Sequence, residues 1–147
     1  MRRKIIDYTW SRRIEPVEAL VLGCVDRDLK GWRGMFGEYM GFSMSIPITI
    51  PGGIKDLVHP MYQGDREYLL RKIALLVKHN PNIKLIGMAH NECLDCNRRN
   101  DPDYYEDMLL QAGKLLQRRF PGQERFLVYL EFDGGISLVE EDVPVMA

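Results

Sequence analysis

Residues 19–24, with the sequence ALVLGC, form a continuous apolar run that stops at Asp26, Arg27 and Asp28. Strands of parallel sheets are covered on both faces and read as unbroken apolar runs of this kind, whereas strands with one wet face alternate with polar residues. The run therefore predicts a central parallel strand whose carboxyl end carries Cys24.

Further segments predict strands around this one. Residues 45–50 include Pro47, which has no amide hydrogen for a sheet ladder, so we expect this strand at a sheet edge. Residues 83–89 and 125–132 are mostly apolar and predict two more parallel strands. After a glycine-rich turn, residues 136–139 predict a short antiparallel strand.

Two helices are predicted between these strands. Residues 65–79 carry apolar side chains at helical spacing and end before Pro81. A second helix begins at Asp101-Pro102 and ends before Pro121. Strands that alternate with helices pack as a parallel sheet covered on both faces. The sequence therefore predicts a doubly wound α/β fold, with a mainly parallel four-stranded sheet flanked by helices and an additional antiparallel strand at its C-terminal end.

The composition is that of an ordinary globular domain, which we expect to span residues 1–147. The chain has 46% hydrophobic and 28% charged residues, and its formal net charge of −1 argues against a nucleic-acid partner. No apolar run reaches the roughly 18 residues of a membrane span, and the N-terminus lacks the apolar core of a signal peptide. We therefore expect no membrane partner and a cytoplasmic location. Three cysteines favour free thiols or metal ligands over a disulfide framework.

Candidate metal ligands follow two of the predicted strands. Cys24 ends the first, and His90 ends the strand over residues 83–89 and precedes Cys93. Ligands bind at the carboxyl ends of parallel strands, so these side chains are expected at one edge of the sheet. His90 and Cys93 are three residues apart at a predicted strand-to-helix junction, where one helical turn places both side chains on the same face. Two thiolates and an imidazole form a zinc-type ligand set, although each residue alone also fits a packing role.

Cys96 leaves two other interpretations open, because it forms a Cys-x-x-Cys pair with Cys93. As a fourth ligand, Cys96 would close the coordination of zinc and leave no position for water, which is typical of a structural site. As a redox pair at a helix start, the two cysteines would resemble a thioredoxin-like dithiol. The redox interpretation leaves Cys24 and His90 unexplained.

The two motifs resemble the zinc site of the β-class carbonic anhydrases. In that family a Cys-x-Asp-x-Arg segment ends one strand and a His-x-x-Cys segment ends another. Here Cys24 and Asp26 match the first segment, and His90 and Cys93 match the second, in the same order. The resemblance implies that Cys24, His90 and Cys93 bind Zn²⁺.

The resemblance covers residues 19–139, in a chain that is shorter than the usual family member. A turn at Gly52-Gly53 falls where the family has an Ala-Gly turn, which assigns both glycines to the substrate pocket. By the same resemblance, we expect the chain to lack much of the N-terminal helical arm that wraps a partner subunit. The family nevertheless implies a homodimer or a higher homo-oligomer.

The activity that the resemblance implies is the hydration of carbon dioxide to bicarbonate. Zinc makes its bound water acidic enough to act as hydroxide near neutral pH. Asp26 would either accept a hydrogen bond from this nucleophile or bind the metal as a fourth ligand. Sites of this family have also been adapted to carbonyl sulfide and carbon disulfide, so the expected partner is a small molecule of this kind.

The sequence departs from the family at the arginine that holds the aspartate off the metal. Asp28 occupies that position, and the nearest arginine, Arg27, lies one residue earlier. A shift of one residue on an extended segment reverses the side-chain direction. We therefore expect Asp26 to be less restrained than in the family, and the activity to be lowered or redirected. Asp26 and Arg27 are the expected catalytic residues. The alternative is a non-catalytic zinc-binding homologue with a closed Cys/His site.

Overall fold

The computed structural model describes residues 3, 17–26, 31–42, 44–131, 133 and 135–142, with residues 141 and 142 described by their backbone. These residues form five strands: β1 (Ala19–Cys24), β2 (Ser45–Ile50), β3 (Lys84–His90), β4 (Arg125–Leu130) and β5 (Ile136–Asp142). Within the same residues lie four α-helices: α1 (Trp32–Met40), α2 (Lys55–Val58), α3 (Gln63–His79) and α4 (Pro102–Arg119). A 3₁₀ turn, Leu94–Cys96, follows β3. No helix in this part of the chain is both long and apolar enough to cross a membrane.

The strands make one sheet in the order β2-β1-β3-β4-β5. β1 pairs in parallel with β2 and β3, β3 pairs in parallel with β4, and β5 pairs antiparallel with β4. The predicted α/β fold, with a mainly parallel sheet and an antiparallel C-terminal strand, is confirmed. β5 runs to Asp142, beyond the predicted end at residue 139, and a bulge interrupts its pairing between Leu127 and Val128.

β1 lies inside the sheet, as its unbroken apolar run predicts. Every residue from Ala19 to Cys24 is buried, and β2 and β3 flank the strand. β2 forms an edge of the sheet, with Pro47 opposite Val21. An edge strand tolerates proline because the amides on its outer side have no partner strand. The inner position of β1 places Cys24 next to the carboxyl ends of two neighbouring strands.

Helical segments cover both faces of the sheet. An added Cβ at Gly87 of β3 would lie 2.8 Å from Ile54 Cγ2, so the segment that leads into α2 packs on that face. Leu22 pairs with Gly87 and shares its face, whereas the next residue, Gly23, faces the other side. There Trp32 of α1 approaches within 3.2 Å of the position of a Cβ at Gly23. A Cβ at Gly87 would therefore clash with Ile54, and one at Gly23 would press on the Trp32 ring.

Capping side chains determine where the two long helices begin. α4 begins at Pro102, as predicted, because Asp101 accepts a hydrogen bond from an amide of the first turn (3.4 Å). α3 begins at Gln63, two residues before the predicted start. Asp65 lies inside this helix, where its carboxylate reaches back to accept the amide of Tyr62 (3.3 Å). Asp65 therefore caps α3 from within the first turn of the helix, while Tyr62 occupies the position that precedes the helix.

Candidate metal centre

Three side chains from two neighbouring strands and a following loop meet at the carboxyl edge of the sheet. Cys24 is the last residue of β1, His90 is the last residue of β3, and Cys93 follows three residues later. One ligand atom from each lies within 4.8 Å of the other two, and all three residues are buried. The structure therefore brings together the three residues that the sequence proposes as metal ligands.

The donor set and its spacing fit a zinc ion. The Sγ atoms of Cys24 and Cys93 are 3.9 Å apart, far beyond the roughly 2.05 Å of a disulfide bond. Two thiolates on a tetrahedral zinc ion with Zn–S bonds of about 2.3 Å are separated by about 3.8 Å. Thiolate sulfur and imidazole nitrogen are donors that zinc prefers. The two thiols therefore need no rearrangement to hold the ion.

A backbone contact orients the imidazole of His90. Its Nδ1 lies 2.9 Å from the carbonyl oxygen of Asn91. Because a carbonyl oxygen only accepts hydrogen bonds, Nδ1 carries the proton in the neutral ring and Nε2 carries the lone pair that a metal ligand needs. Histidines that bind metals commonly have their tautomer selected by such a contact.

The two ligand thiols hold their protons more firmly than ordinary cysteines. Hydrogen bonding to Cys93, together with burial, raises the pKa of Cys24 to about 12, against the opposing effects of hydrogen bonds with His90 and with the Asp26 and Gly52 amides. The bond to Cys24 lowers the pKa of Cys93, but a hydrogen bond with Cys96 and burial outweigh it, so that the pKa of Cys93 is raised. A divalent cation displaces such protons when it binds, because thiolates are the binding form.

A loop, and not a helix, carries Cys93; we name residues 91–99 the metal loop. The chain turns back after β3 through Glu92, which has a left-handed conformation (φ 53°). Cys93 itself is extended, with φ −60° and ψ 129°. The expectation that one helical turn places His90 and Cys93 on the same face is therefore wrong, because the 3₁₀ turn begins after Cys93 and contains neither of them.

Backbone hydrogen bonds within the metal loop converge on Cys93. Its carbonyl accepts the amides of Cys96 (3.0 Å) and Arg98 (2.8 Å). Asn97 and Arg98 both have left-handed conformations, at φ 55° and φ 52°. Such conformations are strained for residues with a side chain, and they persist where surrounding contacts impose them.

Tyr105 of α4 joins the two ends of the metal loop. Its side chain is fully buried (0% exposed), and its hydroxyl donates to the Arg99 carbonyl (2.6 Å) and accepts the Cys93 amide (3.3 Å). Burial raises the pKa of the phenol, so the hydroxyl stays protonated and can donate one hydrogen bond while it accepts another. Tyr105 was not among the site residues predicted from the sequence. The available signal is its helical spacing from Met108 and Leu109, which places it on the buried face of α4.

A glycine turn between β2 and α2 covers the Cys24 side of the site. Gly52 (φ 86°) donates its amide to Cys24 Sγ (3.3 Å). A Cβ at Gly52 would lie 2.8 Å from the carboxylate of Asp95, which pairs with Lys55 at 3.0 Å. This ion pair ties the start of α2, which directly follows the glycine turn, to the metal loop. The pair is not predictable from the sequence, since nothing in the local spacing links two residues that are 40 positions apart.

A cavity of about 480 Å³ opens beside Cys24. Asp26 and Gly52, two residues of the predicted active site, line it. Gly53 is not among the lining residues: it packs beneath the turn, where an added Cβ would lie 2.6 Å from the carbonyl oxygen of Met88. The other residues of the wall are Val25, Pro51, Leu94, Asp95 and Arg98.

Cys96 lies outside the group of three ligand atoms. It is buried, and a hydrogen bond with Cys93, aided by the Lys55 ammonium, lowers the pKa of Cys96. The Cys96 sulfur is therefore close to Cys93 but does not belong to the group of ligand atoms that Cys24, His90 and Cys93 form. Arg27 and Asp28 lie outside the described residues, so the expected catalytic role of Arg27 stays a prediction.

Comparison with known proteins identifies the class of fold. No protein-family model matches the chain, and no curated protein matches its sequence. Among solved structures, the chain superposes on a β-carbonic anhydrase. This neighbour is isoform I from the protozoan Trichomonas vaginalis, with a TM-score of 0.51 and 13% sequence identity over 91% of this chain and 88% of that chain. At this identity the likeness shows a shared fold.

Proposed function

We propose that the protein is a zinc-dependent enzyme that hydrates carbon dioxide to bicarbonate, or acts on a close analogue such as carbonyl sulfide or carbon disulfide. The observation that carries the proposal is the convergence of Cys24, His90 and Cys93, whose ligand atoms lie within 4.8 Å of one another at the carboxyl edge of the sheet. The fold shared with a β-carbonic anhydrase and the cavity beside Cys24 support the same assignment.

Three protein ligands are the number typical of catalytic zinc sites, in which a fourth position stays open. Cys24, His90 and Cys93 would hold the ion, and Asp26 or Cys96 would be the competitors for the fourth position. A zinc ion in such a site supplies Lewis acidity, which lowers the pKa of water to about 7 and provides a nucleophile at neutral pH.

The chain's own residues orient the reactants. Asp26 lines the cavity beside Cys24, where its carboxylate accepts a hydrogen bond from the attacking water and sets its orientation. The Gly52 amide, 3.3 Å from Cys24 Sγ, stabilises the negative charge of the thiolate. Val25 and Leu94 are 52% and 67% exposed and give the wall of the cavity an apolar part, which suits a substrate without charge.

A closed zinc site is the second candidate, and one observation favours it. Cys96 is buried and hydrogen-bonded to Cys93. If its thiolate became the fourth ligand, the protein would bind zinc without a position for water. X-ray absorption at the zinc edge separates the candidates: we expect two sulfur ligands for the open site and three for the closed one.

The test is stopped-flow hydration of carbon dioxide by zinc-loaded protein of measured metal content. We expect a rate that is lost in Cys93→Ser, which removes a ligand, and kept in Cys96→Ser, its matched control three residues away. Asp26→Asn is expected to keep zinc and lose about a hundredfold in kcat, as removal of a proton-accepting group commonly does. Wild-type protein that carries full zinc and shows no rate with carbon dioxide, carbonyl sulfide or carbon disulfide would contradict the proposal.

A further inference from the structure

We propose that Tyr105 is a positioning residue of the metal centre: its hydroxyl joins Cys93 to Arg99 and holds the metal loop in the conformation that presents Cys93 to the ion. The inference rests on the metal site of the proposed function, and it is independent of the reaction carried out there.

The hydroxyl lies between two backbone groups at opposite ends of the metal loop. It donates to the Arg99 carbonyl at 2.6 Å and accepts the Cys93 amide at 3.3 Å. The same carbonyl also accepts the amide of Glu92 (3.0 Å). Because Tyr105 is 0% exposed, water has no access to replace its hydroxyl. One buried oxygen atom thus connects a proposed metal ligand to the far end of its loop.

The hydrogen bonds of Tyr105 are important for the metal loop because the backbone of this loop adopts unfavourable left-handed conformations. Glu92, Asn97 and Arg98 all have left-handed conformations, with φ between 52° and 55°. None of them is glycine, so each carries a steric penalty that other contacts must offset. The buried hydrogen bonds of Tyr105 supply contacts from outside the loop, from a helix that is packed against β3 and β4.

Tyr129 of β4 offers a matched control. Its ring stacks on that of Tyr105, with centroids 6.1 Å apart, and its side chain is also buried (6% exposed). Its hydroxyl has no hydrogen-bond partner among the residues that the structure describes. Tyr129→Phe therefore removes the same atom from the same aromatic cluster without removing a contact to the metal loop.

The test compares Tyr105→Phe and Tyr129→Phe by zinc affinity, measured in competition with a chromophoric chelator, and by the thiolate-to-metal absorption of Co²⁺-loaded protein. We expect Tyr105→Phe to bind zinc about 10- to 100-fold more weakly, as removal of the hydrogen-bond partners of metal ligands does elsewhere, and to shift the cobalt absorption. We expect Tyr129→Phe to match wild type in both. Wild-type affinity and an unchanged spectrum in Tyr105→Phe would overturn the proposal.

A measurement on the unchanged chain applies if Tyr105→Phe does not fold. In zinc-loaded wild-type protein, the Cys93 amide is expected to exchange its hydrogen at least about tenfold more slowly than an unprotected amide, because the Tyr105 hydroxyl accepts it. Exchange at the unprotected rate would overturn the proposal. Neither measurement uses hydration, so a protein that binds zinc without activity would contradict the proposed reaction and leave the role of Tyr105 standing.

Discussion

Cys24 and Cys93 offer the same kind of ligand atom, but the molecule positions them by different means. Cys24 ends a strand and lies opposite Ile50 in the ladder between β1 and β2. The amide of the next residue, Val25, still donates to Ile50 (3.3 Å). Cys93 lies outside any ladder, in the metal loop, behind the left-handed Glu92. The position of Cys24 thus depends on the sheet as a whole, whereas that of Cys93 depends on a small number of contacts.

The two sides of the site are therefore expected to respond to different perturbations. Amides of a central strand open with the global unfolding of a domain, whereas loops open locally at lower free energy. Substitutions that disturb the packing beneath Cys24 are therefore expected to reduce the stability of the whole fold. Substitutions that remove contacts around Cys93 are expected to weaken metal binding while most of the fold is kept.

The largest effect is expected from Gly53→Ala, which disrupts the packing beneath Cys24. Gly53 has φ 61°, and an added Cβ would lie 2.6 Å from the Met88 carbonyl oxygen in β3. Because this neighbour is backbone within the sheet, it has little freedom to move away. We expect the free energy of unfolding, measured by urea denaturation, to fall by about 3 kcal/mol.

Gly41→Ala is the matched control for that substitution. Gly41 has φ 77°, but no atom lies within 4 Å of an added Cβ. The left-handed backbone alone is expected to cost about 1 kcal/mol. Equal losses in the two variants would show that backbone conformation, and not the packing beneath Cys24, sets the cost.

Removal of zinc is expected to have an intermediate effect, which is limited to the Cys93 side of the site. The ion would supply a bond to Cys93 that no ladder replaces. In chelator-treated protein, amides of the metal loop are expected to exchange at least about tenfold faster than in zinc-loaded protein and close to the unprotected rate, whereas those of residues 20–23 are expected to stay protected by the sheet. Hydrogen exchange followed by NMR measures both, and loss of protection on both sides would contradict the division.

The smallest effect is expected from Lys55→Met, which breaks the ion pair between the start of α2 and the metal loop. The Lys55 and Asp95 side chains are 18% and 36% exposed, and a pair screened by solvent to this extent contributes about 0.5–1 kcal/mol. Zinc affinity is expected to fall about two- to fivefold. Lys84→Met is the control, because its pair with Glu124 (3.7 Å) lies at the start of β3. A similar loss of affinity in Lys84→Met would attribute the effect to net charge.

The fold was predictable where apolar residues repeat with a clear pattern. Residues 19–24 and 45–50 were predicted as strands with the bounds that the structure shows, because burial on both faces and the edge proline leave direct marks in the sequence. Helix α1 was not predicted. It has nine residues, two internal glycines, Gly34 and Gly37, and one buried residue, Phe36, so it lacks the apolar repeat that marks a helix.

The candidate site was predictable in its membership and less so in its geometry. The ends of β1 and β3 indicated Cys24 and His90, and the three-residue spacing of His90 and Cys93 suggested a shared ligand set. The supposed helical turn between His90 and Cys93 is a loop with left-handed residues. Such a conformation has no periodic pattern, since it is imposed by contacts with other parts of the chain.

The sequence alone indicates that Cys24 and His90 each end a strand and lie at the same edge of a parallel sheet, whereas the adjacency of β1 and β3 comes from the observed strand order. Strand position follows from local burial, which every residue of an apolar run reports. Only the tertiary structure decided how Cys93 reaches them, through the Tyr105 hydroxyl and the Lys55–Asp95 pair. These contacts join residues that are distant in the chain and meet only after the sheet and α4 have packed, so no local pattern records them.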